Sequence, residues 1–432
     1  MSDSRRSGEW PLERLAPWLI IVAGVAAYLN TFGAPFIFDD ANLTTMQPSW
    51  PRSLLTWFNP RALVDLTFLL NCAIDGRNPA GYHACNLAIH MAAALFLYGI
   101  VRRTLVLLSL PRWTPALACA AAAGSASLWA LHPLQTESVT YVCQRYESLM
   151  GMMLLLTLYG FVRSLSSHRP NGWLALSVVA CWLGMETKES MVVAPVIVAL
   201  YDAVFVSAGW RGVGQRWRFY APLGLSWGFL FLLHRYVMSS AVEGGYAIIY
   251  PTVSPWGYLL TQPGVILHYL RLAVWPTGLC LDYAWPPAES VRAVLAPAGV
   301  LALLAGASVV GVRRRRPAGY LGAWFFLTLA PSSSVVPLHD MAFEHRMYLP
   351  LAGVVVLLVV GGMDVLLRAG PTPGRRRSAL LGGALLAAVL VSGLAAATFL
   401  RNRTYASAES MWRDVMRKAP HNLRQQVALA AD

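Results

Sequence analysis

Five short stretches of this chain gather acids, histidines and cations beside aromatic and apolar residues. FIFDD (36–40) sets Asp39 and Asp40 after an aromatic run. Adjacent carboxylates raise one another's pKa, which suits a base; their oxygens could also hold a divalent cation such as Mg²⁺ or Mn²⁺. HPLQTESVTYVCQRYES (132–148) carries His132, Glu137, Arg145 and Glu147. Surface ion pairs would account for these, and an arginine at a membrane boundary is also a natural phosphate ligand. METKES (185–190) packs Glu186, Lys188 and Glu189 into a tight turn. Of 34 Lys+Arg only Lys188 and Lys418 are lysines, so the use of lysine here suggests a specific point-charge contact. HYLRLAVWPTGLCLDY (268–283) adds Arg271 and Asp282, and PSSSVVPLHDMAFEHRMYLP (331–350) adds His339, Asp340, Glu344, His345 and Arg346. The last set has zinc-ligand residue types but no HExxH spacing, so ion pairs plus a phosphate-binding arginine are the preferred reading.

The elements that must position these residues are membrane helices. The chain has 432 residues, 56% hydrophobic and only 13% charged, against about 25% charged in soluble domains. That balance excludes an ordinary soluble enzyme, and the long apolar runs exclude disorder. A span needs about 20 apolar residues. Apolar runs at 15–32, 84–101, 114–131, 148–162, 173–185, 191–208, 219–238, 293–312, 319–337, 348–367 and 379–400 read as eleven spans, the first an uncleaved one.

Charge orients them. With the N-terminus in the cytoplasm, nineteen of the 34 Lys+Arg fall on that side against five acids, and the other side is close to neutral. Basic residues accumulate in cytoplasmic loops, so this is the favoured topology in an inner, cytoplasmic membrane, with the C-terminus extracytoplasmic. All five chemical stretches then lie on the outer face. Segment 256–276 is apolar enough to span, but counting it would put the basic run 313–316 outside; it reads as re-entrant or interfacial. The expected organisation is a transmembrane domain over 1–401, with an outer loop at 33–82 and the re-entrant region within 239–292. A short amphipathic tail at 402–432 should lie at the outer membrane surface. Cys119 and Cys181 read as core residues; Cys72, Cys85, Cys143 and Cys280 lie near one face, where a disulfide is open.

No nucleotide-binding motif occurs, and nothing points to nucleic acid. Acids and bases on the outer face of a nucleotide-independent membrane protein suit a lipid-phosphate donor. The tail stays in the bilayer, cations hold the phosphate, and a carboxylate activates an acceptor hydroxyl.

Taken together the segments resemble the membrane part of the TMTC-type protein O-mannosyltransferases and their bacterial relatives, in the GT-C superfamily. The resemblance rests on FIFDD, 61–90, 132–149, 187–202 and the stretches 267–286 and 337–353, in family order. It departs at Arg61-Ala62-Leu63, where the family has RPL, and at His132-Pro133-Leu134-Gln135, which lacks the second histidine of HPxH. It implies an all-α GT-C bundle of about eleven transmembrane helices with outer-face loop helices. It implies transfer of a hexose, mannose by family, from a polyprenyl-phosphate to a protein Ser/Thr hydroxyl with inversion. Asp39 or Asp40 would be the base. Arg145, Lys188, Arg271 and Arg346 would hold the donor phosphate, with His132, Glu137, Glu147, Glu189, Asp282, His339, Glu344 and His345 in support. Family members continue into tetratricopeptide repeats, and WRDVMRKAPHN (412–422) resembles their lead-in, so a partner could supply acceptor recognition. The alternatives are a glycan or lipid acceptor, a lipid-linked-sugar flippase, or a scaffold. A flippase would place charges at the bilayer midplane rather than at one face.

Overall fold

Proline and its preceding cap start several of the helices. Asn78, Thr114 and Ser254 each accept a backbone N–H from the first turn, and Pro79, Pro115 and Pro255 follow them. The computed structural model describes residues 11–40, 61–207, 209–243, 253–369 and 373–422. Positions 41–60 of the expected outer loop, 244–252 of the re-entrant region and 423–432 of the tail lie outside the described residues.

In chain order the longer helices are α1 (Pro11–Tyr28), α2 (Ala62–Asp75), α3 (Pro79–Leu108), α4 (Pro115–Ala130), α5 (Arg145–Ser164), α6 (Pro170–Met185) and α7 (Ala194–Tyr201). They continue with α8 (Trp217–Glu243), α9 (Pro255–Val274), α10 (Val291–Arg313), α11 (Pro317–Leu329), α12 (Pro350–Ala369), α13 (Pro373–Asn402) and α14 (Ala408–Lys418). No strand occurs among the described residues. The protein is an all-α polytopic membrane protein.

Small residues place α4 at the centre. Ala118, Ala121, Ala122 and Ala126 are almost wholly buried, and α1, α3, α12 and α13 close around them. The periphery has the reverse character. Leu303 on α10 and Leu385 on α13 are 76% and 69% exposed, which suits contact with lipid rather than water.

Each expected span contains helix, but six described helices are long and apolar enough to cross a bilayer, or seven counting α4 with the short helix bent 52° from it. α6 and α11 are too short, at 16 and 13 residues. The run 319–337 stops being helical at Leu329 because Pro331 and three serines follow. α5 and α8 are long enough but diluted by polar and charged residues.

Charged contacts sort into two ends. At one, Glu13 pairs with Arg102 at 2.7 Å, Asp202 with Arg216 at 2.6 Å and Asp364 with Arg368 at 2.5 Å, and Arg376 donates to the Arg112 carbonyl. These residues come from the loops expected in the cytoplasm. At the other end lie the five stretches rich in acids and histidines. Both halves of α9 are pinned there: the Tyr258 hydroxyl donates to the Ser332 carbonyl at 2.6 Å, and the Tyr269 hydroxyl accepts the Phe343 N–H at 2.8 Å.

The α10–α11 hairpin closes glycine on glycine: a Cβ at Gly319 would lie 2.5 Å from Gly311 Cα. Gly319→Leu is expected to destabilise the protein by about 1–3 kcal/mol. Thermal unfolding in detergent should show this, while Gly299→Ala, which meets nothing, should change little.

Candidate functional site

The site begins where α1 ends. The chain turns through Phe38–Asp40, a single 3₁₀ turn in which Asp40 is buried and Asp39 exposed. Asp40 Oδ2 accepts the Ile37 N–H at 3.1 Å, and Oδ1 accepts the Cys143 N–H at 2.6 Å. Phe38 takes φ +50, a left-handed conformation costing about 1–2 kcal/mol outside glycine. Its ring is held by Tyr141 at 6.2 Å and edge-on by Trp412 at 5.7 Å. The Tyr141 hydroxyl then accepts the Asp39 N–H at 3.1 Å. One aspartate thus anchors the turn and the other is presented.

Two cations are held near the start of α5. Lys188 Nζ lies 2.6 Å from Glu147 Oε2, with its side chain 19% exposed. Arg61 lies over the Tyr146 ring at 4.9 Å and 3.8 Å from Glu189, and Tyr146 donates to Asp65 at 2.7 Å. The Cys143 thiol marks where the groups meet. Burial pushes it up to about 12, the charges of Asp40 and Asp39 push the same way, and Arg61 and Lys188 oppose. The charges of Asp39, Asp40, Arg61 and Lys188 therefore all reach one thiol.

Behind them sits a buried polar layer. Glu137 accepts both from His345 N at 3.2 Å and at Nδ1, 2.6 Å. Burial, then Lys188 and Arg346, push His345 well down, so the imidazole stands neutral beside Glu137. Glu344 Oε1 accepts from Cys280 N at 2.6 Å and from the Tyr283 hydroxyl at 2.5 Å. Arg346 is buried and donates to neutral oxygens: the Tyr258 hydroxyl and the carbonyls of Ser332, Asp340 and Met341.

Other expected residues lie elsewhere or act otherwise. Arg145 differs from the phosphate contact expected of it: it is buried, donates to Asn86, Thr67 and the Tyr82 carbonyl, and stacks on Phe68 at 4.3 Å, the placement of a brace. Arg271 is exposed and reaches the Thr277 carbonyl beyond its own helix. Asp282 accepts the Ala284 N–H in a local turn, and His132 caps the turn at Leu134. His339 is half-exposed, 3.5 Å from Asp340. Among the described residues no group of three or more His, Cys, Asp and Glu is disposed to hold a metal, and Asp40 has both oxygens on backbone N–H groups. All six cysteines are free thiols.

The apolar side of the tail packs on protein. α14, opened by a Ser407–Ser410 capping box, seats Met411, Trp412 and Val415 against Tyr141, Cys280 and Leu281. Arg401 and Lys418 both hold Asp414 at 2.7 Å, and Lys418 also reaches the Leu279 carbonyl. Trp412, Tyr141, Cys143 and Arg61 escaped selection by sequence because aromatic, thiol and lone-arginine positions have no spacing rule. The aromatic-rich run YVCQRY (141–146) was the available signal.

Among curated proteins, Protein O-mannosyl-transferase Tmtc2 of Drosophila melanogaster is 29% identical over 287 residues, 59% of this chain and 29% of that protein. The human TMTC2 of the same name is 31% identical over 205 residues, 42% of this chain and 23% of the relative. Human TMTC4 is 24% identical over 223 residues, 44% and 30% of the two chains. The chain is a homologue of the TMTC proteins. The matched part spans less than a third of the length of each of these TMTC relatives. No family model matches the chain, and no solved structure matches it.

Burial holds the Asp40 carboxyl up at about 7; the N–H groups of Ile37, Cys143 and Val142 oppose, and the charge of Asp39 adds. The folded state then binds this proton more tightly than the unfolded chain. The stabilisation is full below the ordinary carboxylate pKa and is lost as pH rises from about 4 to about 7. The midpoint of unfolding in detergent should fall across that window, and Asp40→Asn should flatten the fall. A wild-type curve flat over the window would contradict the assignment.

Proposed function

We propose that this chain is a membrane glycosyltransferase that moves a hexose, mannose by analogy with its relatives, from a polyprenyl-phosphate to a protein Ser/Thr hydroxyl, with inversion at the anomeric carbon. The observation that carries the reading is the presentation of one exposed carboxylate, Asp39, whose charge acts on the Cys143 thiol together with those of Lys188 and Arg61, at the end of the bundle away from the arginine-rich loops. We read that end as extracytoplasmic. The names of the relatives support transfer of mannose to protein.

The chemistry follows from the placement. The Asp39 carboxylate takes the proton of the acceptor hydroxyl as its oxygen attacks the anomeric carbon. The new C–O bond forms on the face opposite the departing phosphate. The transition state is oxocarbenium-like, and the phosphate gathers charge as its bond to the sugar breaks. Lys188 meets that charge, with Glu147 as its resting partner, and Arg61 lies beside it. Arg346 and Arg145 act from behind: their guanidiniums have neutral partners, so their charge adds to a positive potential at the site. The prenyl tail stays among the lipid-facing helices.

The test is purified protein in detergent with radiolabelled polyprenyl-phosphate hexoses, following sugar leaving the lipid. Wild type should turn over, even slowly to water, and Asp39→Asn should lose about 10²–10⁴-fold in rate with unfolding unchanged. No turnover with any donor despite tight lipid binding would overturn the reading in favour of a flippase or scaffold.

Trp412 touches no reacting group but sets the turn that carries Asp39. Trp412→Ala is expected to lower kcat about tenfold with donor Kd unchanged, an effect of misplacement. Trp412→Phe should restore most of the rate. Equal losses in kcat and donor binding would mean general unfolding.

A further inference from the structure

At the opposite end of the molecule from Asp39, a cleft of about 850 Å³ separates α3 and α5 from α11 and α12. Its walls are apolar, with Leu97, Val101, Leu155, Leu158, Trp324 and Val356 among them. Its size falls within the range of about 300–1,000 Å³ usual for small-molecule sites. Its mouth is different. Arg112, Arg315, Arg316 and Arg368 stand there exposed, against the single acid Asp364, which Arg368 holds at 2.5 Å.

One polar group inside has no match. Tyr320 lines the cleft and is 4% exposed, yet its hydroxyl has no hydrogen-bond partner among the described residues. Its neighbour Tyr201 is satisfied by Thr104 at 2.7 Å. The Tyr320 ring is fixed edge-on against Tyr201 and Phe205, at 5.6 and 5.1 Å, so the hydroxyl cannot swing out to water. A buried, unmatched hydroxyl costs free energy that a bound acceptor would relieve.

We propose that this cleft binds one glycerophospholipid with an anionic headgroup. An acyl chain fills the apolar walls, an ester carbonyl accepts from Tyr320, and the phosphate lies among the arginines of the mouth. Arginine suits a phosphate through its planar fork, and basic clusters between membrane helices recognise anionic headgroups. A polyprenyl phosphate shares the phosphate and the tail but has no ester carbonyl to meet Tyr320. The proposal is independent of any transferase activity.

The full-length protein, delipidated in detergent, would be titrated with phosphatidylglycerol, phosphatidylcholine of the same chains and a polyprenyl phosphate, and read by native mass spectrometry. One phosphatidylglycerol per chain is expected, at least tenfold tighter than phosphatidylcholine. Each arginine near a lipid phosphate contributes about fivefold, so Arg112→Gln with Arg316→Gln should weaken binding about thirtyfold. Arg313→Gln, exposed and outside the cleft, should change little. Tyr320→Phe should weaken phosphatidylglycerol severalfold, and Val360→Trp should fill the cleft and remove binding. Should Val360→Trp fail to fold, the exposed arginine pair carries the test. Equal binding of both phospholipids, or indifference to the arginine pair, would mean annular lipid only and overturn the proposal. Preferred binding of the polyprenyl phosphate, unmoved by Tyr320→Phe, would overturn it in favour of that lipid.

Discussion

The arrangement of the outer end depends on one buried carboxylate. An ionisable group taken out of water must be hydrogen-bonded or it destabilises the fold. Asp40 meets that demand with the N–H of Ile37 in its own turn and of Cys143 from a segment a hundred residues on. The second bond ties the end of α1 to the start of α5. Everything that begins α5 is placed by the same tie: Tyr141 beneath Phe38, Arg145 in its neutral cradle, and Glu147 opposite Lys188. Asp39 is exposed and yet fixed because the residue after it is not exposed at all.

Burial also separates two kinds of arginine. Arg145 and Arg346 sit inside with amide, hydroxyl and carbonyl partners, so their charge is solvated by dipoles and not cancelled by a carboxylate. Such a charge acts through space on the groups around it. The arginines of the other end lie at the surface, where charge is screened and binding requires contact. The first kind suits the stabilisation of charge that appears during a reaction. The second suits retention of a ligand that is charged throughout.

Much of this was legible in the sequence, and the limits have physical causes. The helices could be read because apolar runs are local signals; each of the eleven runs contains helix, though 319–337 leaves it at Leu329. How many of those helices could cross alone was less legible, since α6 and α11 are short enough to depend on their neighbours. The stretches that meet at the site were found by charge, which is scarce in this chain and therefore conspicuous. Their division into exposed and buried members was not, because it depends on contacts between residues far apart in sequence. FIFDD does not say which aspartate faces inward, and the arginine of QRY does not reveal that Asn86, Thr67 and Tyr82 will enclose it.

The tail shows the same limit most clearly. Its amphipathic pattern is real, and a membrane surface is the usual partner for an apolar stripe beside a bilayer. The stripe instead meets protein: Met411, Trp412 and Val415 cover Tyr141, Cys280 and Leu281, and Asp414 draws Arg401 and Lys418 together across the joint. This joint makes α14 part of the outer end. Trp412 supports the strained Phe38, and Lys418 fixes the carbonyl of Leu279 next to the N–H that Glu344 holds. A displacement of α14 would release the turn at Asp39 and the loop at Cys280 together, because one helix supplies the packing for both. The geometry of the candidate base is therefore set from two directions, by a buried carboxylate on one side and by the far end of the chain on the other.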